Sequence, residues 1–279
     1  MHLVKIACER PDNLGRSLSH WDCAELARQL KADRVVDSIS PQTVQRILAH
    51  PKLKPWRNHL WLSPKVPRDP AFVERVKEIC GLYTRELAAG EMVLCVDEKT
   101  GLQPRTRLSP TLPALPGRPV RVEHEYRRQG ALNLFAAFDT RTGKVYAHTA
   151  ERKRQAEFIE SLELRDREIP AEISRVHLVM DALKMHTGKQ VQAWLARHPR
   201  FEFHHPPVHC SWMDQVEQWF SILQRKRLAI AEFADKAALA ERLHAFVEEW
   251  NEHAHPFKWT AKSVAKVMAK CEMPVAKVA

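Results

Sequence analysis

Two short, largely apolar runs, each followed directly by an acidic residue, constrain the fold of this chain most strongly. The first is MVLCV at 92–96, which precedes Asp97, and the second is RVHLVMD at 175–181, which ends in Asp181. Apolar runs of this length are typical of strands that are buried on both faces of a sheet. Such strands need helices on both sides, so the two runs predict an α/β fold.

The segments around these runs continue the pattern. Residues 132–149 predict two strands around a turn at Thr142-Gly143. Helical periodicity and one further apolar segment predict a strand at 201–205 and helices at about 70–88, 154–164, 188–198, 211–227 and 235–250. A hairpin followed by alternating helices and strands indicates an α/β sheet that is covered by helices.

The amino-terminal region predicts two short helices within residues 22–50. The second begins with Ser40 as N-cap and Pro41 at its first helical position. Its apolar residues Val44, Ile47 and Leu48 are expected to face inward, and the outward residues are Gln42, Thr43, Gln45 and Arg46. Short polar and basic side chains suit a recognition helix in a DNA major groove. A plain helical hairpin is the alternative, because the DRVVDSI linker is long for a helix-turn-helix.

Two proline-containing basic segments are candidate DNA contacts. Residues 40–68 contain no acidic residue and six basic ones, namely Arg46, Lys52, Lys54, Arg57, Lys65 and Arg68. With Trp56 and Trp61 among them, an extended segment of this kind can follow phosphates, although a solvated linker whose tryptophans dock on a neighbouring domain is the alternative. Residues 103–119 contain five prolines together with Arg105, Arg107 and Arg118, and predict an irregular surface loop that touches a backbone phosphate.

Charge and cysteine usage narrow the class of protein. A net charge of +10 and a pI of about 9.4 indicate an anionic partner, with nucleic acid as the default candidate. The six cysteines are scattered, without a Cys-x-x-Cys pair, which favours a reducing compartment over a disulfide framework. We expect a cytoplasmic protein, because the sequence has neither a secretory signal nor an apolar stretch of roughly 20 residues that could span a membrane.

Three carboxylates are candidates for a shared site: Asp97, Asp181 and Glu217. Glu217 lies at the border of an apolar helical stripe, where most charged residues are simply solvated, and each aspartate alone is more often a turn residue. If the two acid-ending strands are neighbours, however, all three can meet at one end of the sheet. Clustered carboxylates suit Mg²⁺ or Mn²⁺, and two such ions about 3.5–4 Å apart can activate water or a 3′-hydroxyl against a phosphodiester.

A second cluster, His204, His205, His209 and Cys210, raises the question of a zinc site. The spacing matches no standard zinc finger, and Pro206-Pro207 lies between the histidines. We therefore predict a strand end and loop beside the carboxylate site rather than structural zinc.

Several short sequence motifs, taken in their order along the chain, resemble those of a known protein family. They are LCVDE (94–98), LFAAFDTRTGKV (134–145), VHLVMDALKMH (176–186), HPPVHCSWMDQVEQWFSIL (205–223) and NEHAHPFKWT (251–260). Together they resemble bacterial insertion-sequence transposases of the mariner-related superfamily, from about residue 90 to 262 and more weakly over the helix-turn-helix region. These are DDE enzymes with a ribonuclease H-like catalytic domain, so the resemblance implies a mixed sheet flanked by helices, preceded by an all-α region.

The resemblance implies roles for the three acids. Asp97, Asp181 and Glu217 would be the catalytic, metal-binding residues, with two Mg²⁺ or Mn²⁺ ions as cofactor. The implied activity is cleavage at the terminal inverted repeats of the element and strand transfer into target DNA, by a homodimer or larger assembly in the bacterial nucleoid. The implied domains are a DNA-binding region at 1–68, a connecting helix at 69–90, a catalytic domain at 91–255 and a tail at 256–279.

This sequence also departs from the family pattern. Ala182 and Asp214 stand where relatives usually have Asn, and we expect that a helix-turn-helix module ahead of residue 20 is missing. A catalytically degenerate DNA-binding relic is therefore one alternative, and a ribonuclease H-like nuclease acting on RNA or hybrids is another. His186 matches a histidine common in the family, with a role either near the scissile phosphate or in packing.

Overall fold

The structure, a computed structural model, describes residues 1–57, 69–208 and 210–272. The chain divides into two compact units, Met1–Ser63 and Pro64–Ala279. Of the residues singled out above, Trp61, Lys65, Arg68 and His209 lie outside the described residues.

The first unit is helical, as predicted. Its helices are α1 (His2–Cys8), α2 (Cys23–Ala32) and α3 (Pro41–Ala49), with a 3₁₀ turn at Pro11–Leu14. The side chain of Ser40 accepts a hydrogen bond from the Thr43 N–H at 3.1 Å, so the predicted N-cap is present. The three helices enclose a small core of Leu3, Ile6, Trp21, Leu26, Leu30, Val44 and Leu48.

The outer face of α3 differs from the prediction at one position. Val44 and Leu48 are buried, but Ile47 is 43% exposed rather than turned inward. Gln42, Gln45 and Arg46 are exposed, and Thr43 is half-buried beside Ser40. At 100° per residue, Ile47 falls between the buried and the polar faces, and the three-helix core is too small to cover it.

The second unit contains a five-stranded mixed sheet in the order β5-β4-β1-β6-β7. Its strands are β1 (Glu91–Leu102), β4 (Leu132–Asp139), β5 (Val145–Ala150), β6 (Arg175–Val179) and β7 (Phe201–His204). The pairs β1–β4 and β4–β5 are antiparallel, and β1–β6 and β6–β7 are parallel. Strands β1 and β6, which contain the two apolar runs, are therefore neighbours at the centre of the sheet.

Helices cover both faces of this sheet, which explains why β1 and β6 are apolar without alternation. The helices are α4 (Pro70–Thr84), α5 (Gln155–Glu168), α6 (Lys184–Thr187), α7 (Lys189–Arg197), α8 (Val216–Leu223), α9 (Lys236–Glu252) and α10 (Ala261–Glu272). Val93 and Cys95 of β1 belong to the core shared with α4, α8, α9 and α10. Leu94 and Val96 belong to the opposite core, shared with α5 and α7.

The turn between β4 and β5 lies at the predicted Thr142-Gly143. Gly143 has φ of +77°, and a Cβ at this position would collide with the backbone of His255. Its carbonyl also accepts a hydrogen bond from the Trp250 indole N–H at 2.8 Å. Glycine is required here both for the left-handed backbone and for the close approach of the segment after α9.

Two predicted elements are wrong in extent. The single helix expected at 211–227 is divided into a 3₁₀ turn (Ser211–Met213), α8 and a wider π-helical turn (Gln224–Leu228). The loop expected at 103–119 contains strand β2 (Arg105–Arg107), which pairs with β3 (Tyr126–Arg128) in a separate two-stranded sheet. Pairing with a segment further along the same chain gives this proline-containing stretch a regular structure that its local sequence does not indicate.

Within the described part of the chain, we find no helix that is both long enough and apolar enough to span a membrane.

Candidate active site

The register of β1 and β6 places Asp97 and Asp181 together. Cys95 and Val179 form the last parallel pair between the two strands, and each aspartate lies two residues further along its own chain. Both side chains line one cavity of about 340 Å³, which we call the DDE cavity. The prediction that Asp97 ends its strand is wrong, because β1 continues to Leu102 and Asp97 still pairs with Ala136 of β4.

The segment before α8 closes the DDE cavity. Pro206, Pro207, Cys210 and Ser211 line it, together with Asp214. Asp214 is only 4% exposed, and its Oδ1 accepts a hydrogen bond from the Val216 N–H at 3.1 Å. Burial, reinforced by the negative charge of Asp97, raises the pKa of Asp214 well above its ordinary value. Asp214 therefore supports the first turn of α8 from inside the protein.

Glu217 lies on the first turn of α8 and is exposed. It is not among the residues that line the DDE cavity, but its negative charge raises the pKa of both Asp97 and Asp214. Burial raises the pKa of Asp97 to about 7, and the charges of Glu98, Glu217 and Asp181 add to this effect. The charges of Asp181 and Glu217 therefore both act on Asp97, although only the two aspartates line the cavity.

The donor set of this site fits a divalent metal ion. Asp97, Asp181 and Glu217 offer hard carboxylate oxygens, which Mg²⁺ and Mn²⁺ prefer over nitrogen or sulfur ligands. The charges of Glu217 and Asp181 add to the effect of burial on the pKa of Asp97, and a bound cation relieves unfavourable charge of this kind.

His186 joins the two sides of the site from within the core. It is fully buried, with Nδ1 2.8 Å from Asp181 Oδ1 and Nε2 3.0 Å from Glu98 Oε1. Burial alone would lower the pKa of His186, but the hydrogen bond to Glu98 and the charges of Glu98 and Asp181 outweigh burial, and the pKa is raised. The ring also packs on Phe158 of α5, at 4.5 Å between ring centroids. These contacts indicate support of Asp181, a role beyond the two that the sequence predicted.

Glu98 is a site residue that sequence reasoning passed over. Its side chain is fully buried on the face of β1 opposite Asp97, and Lys153 Nζ lies 3.2 Å from its second oxygen. That oxygen has no hydrogen bond of good geometry. The available signal was its position, since the residue after Asp97 in a strand buried on both faces must point into a core. A buried carboxylate needs such partners.

The candidate DNA-binding residues are divided between the two units. In the first unit, Lys52, Lys54 and Arg57 are exposed. In the two-stranded sheet of the second unit, the guanidinium groups of Arg105, Arg107 and Arg128 lie 4.7, 5.5 and 5.8 Å from the Tyr126 ring centroid. Arg107 also donates a hydrogen bond to the Glu123 carbonyl at 2.8 Å, so part of its donor capacity is used by the segment that connects β2 to β3.

The described members of the second predicted cluster do not meet around a common point. His205 Nδ1 lies 3.0 Å from the Met180 carbonyl, and Cys210 is buried beside the DDE cavity. His204 instead faces His177 of β6, at 2.9 Å between ring nitrogens. As predicted, this segment forms a strand end and a loop beside the carboxylate site.

Comparison with known families identifies the class of this site. The family model described as DDE superfamily endonuclease matches residues 92–240, which is more than half of the chain and contains all three predicted acids. The chain belongs to this family.

Individual proteins that are similar to this chain support the family assignment. A curated protein described as the insertion element IS630 uncharacterized 39 kDa protein of Shigella sonnei is 23% identical over 273 residues, which cover 95% of this chain and 74% of that protein. Among solved structures, a pre-cleavage Mos1 transpososome superposes with a TM-score of 0.55 at 18% identity, covering 97% of this chain and 75% of that one. A Mos1 mariner paired end complex with Mn has a TM-score of 0.55 at 20% identity, covering 99% and 77%.

These comparisons confirm three of the sequence expectations. They are the resemblance to mariner-related insertion-sequence transposases, the mixed α/β ribonuclease H-like fold with a helical amino-terminal region, and membership of the DDE enzyme superfamily. The resemblance that the ordered sequence motifs indicated is thus matched by a similarity of fold.

Proposed function

We propose that this protein catalyses DNA transposition: it binds the terminal inverted repeats of an insertion sequence, cleaves DNA there and transfers the freed 3′ ends to target DNA. The observation that carries the proposal is the shared DDE cavity. Asp97 and Asp181 line it from adjacent parallel strands, and the charge of Glu217 acts on Asp97 from α8.

The proposed cofactor is Mg²⁺ or Mn²⁺, as two ions held by Asp97, Asp181 and Glu217. When bound, such a pair activates water or a 3′-hydroxyl and stabilises the leaving oxygen of a phosphodiester. Mos1 paired end complexes are described with Mn and with Mg, which supports this choice of metal. With its pKa near 7, Asp97 can release its proton close to neutral pH and present a full carboxylate.

The protein's own residues supply the positioning. His186 holds the Asp181 carboxylate from behind through Nδ1, and Glu98 holds His186 through Nε2. Asp214 supports the first turn of α8, which carries Glu217. Asp181 and the helical turn that carries Glu217 are therefore supported by neighbours that do not themselves need to contact DNA, and such support is what catalytic carboxylates require.

DNA binding is assigned to the positively charged surfaces. Gln42, Thr43, Gln45 and Arg46 of α3 would read base edges, while Lys52, Lys54 and Arg57 would contact phosphates. Arg105 and Arg107 would approach the backbone near the catalytic unit. The net charge of +10 supports an extended phosphate interface. Because two element ends must be brought together, we propose a homodimer or larger assembly on DNA, acting in the bacterial nucleoid.

A cleavage assay tests the proposal. The substrate is duplex DNA that carries the inverted repeats flanking the reading frame, incubated with the full chain and Mn²⁺ or Mg²⁺. We expect strand cleavage by the wild type and by the exposed-site control Asp37→Asn, and none by Asp97→Asn or Asp181→Asn. Cleavage that persists in both cavity variants would contradict the assignment of the DDE cavity.

Ala182 motivates a second candidate, a DNA-binding relic without catalysis. Ala182 lines the DDE cavity next to Asp181, where the resembling transposases usually have Asn. Binding of the terminal repeats without cleavage, by wild type and Asp97→Asn alike, would favour the relic. Preferential cleavage of an RNA–DNA hybrid would instead favour a ribonuclease H-like nuclease.

A further inference from the structure

A cluster of metal-ligand side chains lies outside the DDE cavity. His177 of β6 and Glu202 and His204 of β7 each offer one ligand atom, and these atoms all lie within 4.8 Å of one another. Parallel pairing creates the cluster, because His177 is the direct partner of Glu202, and His204 is the partner of Val179, two residues further along β6. The three side chains share the sheet face that α4 covers, since their neighbours Val176 and Phe201 belong to the opposite core.

The outer nitrogens of both histidine rings have polar partners. The inner nitrogens, His177 Nδ1 and His204 Nε2, lie 2.9 Å apart. On the outer side, His204 Nδ1 lies 2.8 Å from Glu78 of α4, and His177 Nε2 lies 3.4 Å from the Arg85 guanidinium and 3.7 Å from Glu91 of β1. A carboxylate behind an imidazole orients histidine ligands in metal sites, and Glu78 provides this support for His204.

We propose that His177 Nδ1, His204 Nε2 and a carboxylate oxygen of Glu202 bind a divalent ion of the zinc class. Two imidazole nitrogens with one carboxylate oxygen suit Zn²⁺, whereas Mg²⁺ takes oxygen ligands. The Glu202 side chain is 55% exposed, so the site opens to solvent on that side and leaves room for water as a fourth ligand. The cluster is separate from the acids that carry the proposed catalysis.

The bound ion would cross-link the edge strand β7 to β6. His177 lies four residues before Asp181, and His204 directly precedes the loop that lines the DDE cavity. Through Glu78 the link extends to α4. The ion would thus stabilise the edge of the sheet that supports the catalytic acids. The rival account is that the two histidines form only a hydrogen-bonded pair, with no affinity for metal.

Zinc titration of the full chain distinguishes these accounts. Calorimetry is carried out in excess Mg²⁺, which competes for the carboxylates of the DDE cavity. We expect the wild type and the exposed-site control Glu249→Gln to bind one more Zn²⁺ than His204→Gln. Zn²⁺ should also raise the melting temperature of the wild type more than that of His204→Gln, as binding to the native state requires.

Two further variants, which change residues nearer the surface than His204, test the proposal even if His204→Gln fails to fold. Glu202→Gln removes an exposed ligand, and Glu78→Gln removes only the support of His204. For Glu78→Gln we expect zinc affinity to fall by about 10- to 100-fold, with melting temperature without zinc close to that of the wild type. Equal zinc binding by wild type, Glu202→Gln and His204→Gln, or no zinc binding by the wild type, would overturn the proposal.

Discussion

His186 Nε2 and Glu98 Oε1 lie 3.0 Å apart in the core of the catalytic unit, and the opposite nitrogen of the same ring contacts Asp181. One imidazole thus links the strand that carries the first acid to the segment that carries the second. Both ring nitrogens face acceptor oxygens, which favours the doubly protonated form of the ring. The raised pKa of His186 agrees with this state.

Removing the contact between His186 and Glu98 should destabilise the protein. We expect His186→Ala to lower the free energy of unfolding by about 3–5 kcal/mol, because Glu98 would be left as a buried charge with Lys153 as its remaining partner. Urea denaturation of His186→Ala, Glu98→Gln and the double variant measures the coupling. Additive effects of the two substitutions would contradict a direct interaction.

Asp214→Asn should be tolerated. An Asn at this position can accept the same hydrogen bond from the Val216 N–H, and it places no ionisable group in a buried position. We expect its rate of DNA cleavage to stay within about threefold of the wild type, a change of well under 1.4 kcal/mol in activation free energy. A loss of cleavage as complete as in Asp97→Asn would instead make Asp214 a metal ligand.

Even a conservative replacement of Arg141 should destabilise the protein. Its guanidinium donates to the carbonyls of Tyr83, Leu82 and Arg85 at 2.6, 2.9 and 2.7 Å, and so binds the carboxyl end of α4 to the β4–β5 turn. Lysine lacks the planar fork that makes these bonds together. We expect Arg141→Lys to lower the free energy of unfolding by about 1–3 kcal/mol. Chemical denaturation beside the exposed-site control Arg167→Lys gives the comparison.

The start of α5 should contribute stability that depends on pH. Glu157 accepts hydrogen bonds from the Arg154 backbone N–H and guanidinium, both at 3.0 Å, and the guanidinium lowers its pKa to about 2. Because the folded-state pKa lies below the ordinary 4.5, the stabilisation is present above that pH and is lost as the pH falls towards 2.

Glu157→Gln measures this contribution. Arg154 is 58% exposed, so solvent screening limits the expected loss near neutral pH to about 0.5–1 kcal/mol. The difference from the wild type should shrink in acid, as wild-type Glu157 becomes protonated. Denaturation curves across this pH range, with Glu172→Gln as an exposed control, give the result. A difference that does not change with pH would exclude the charge as its cause.

Phosphate contacts by the basic segment after α3 should appear in the salt dependence of binding. If Lys54 contacts one phosphate, Lys54→Ala should lower the slope of log affinity against log salt by about 1 and weaken binding to all sequences alike. Fluorescence anisotropy at several salt concentrations measures the slope. Lys77→Ala, in an exposed pair with Glu74 on α4, provides the matched control. Equal slopes for both variants would place Lys54 outside the interface.

The local sequence was sufficient to predict the main secondary-structure elements of this protein and the family that it resembles. The apolar runs around Cys95 and Leu178 predicted strands covered on both faces, Ser40 and Pro41 predicted a helix start, and Gly143 predicted a hairpin turn. Each of these features depends on residues close in sequence, through strand burial, capping or backbone conformation, and each is present in the structure. The ordered words around the acids also carried the family resemblance.

Only the tertiary structure decided which side chains meet. Parallel pairing of β1 with β6 brings Asp97 and Asp181 to one cavity, and pairing of β6 with β7 brings His177 to His204. Glu98 and His186, 88 positions apart along the chain, meet in the core between the sheet and α5. Strand order and register depend on the packing of the whole sheet against its helices, and no local pattern in the sequence encodes them.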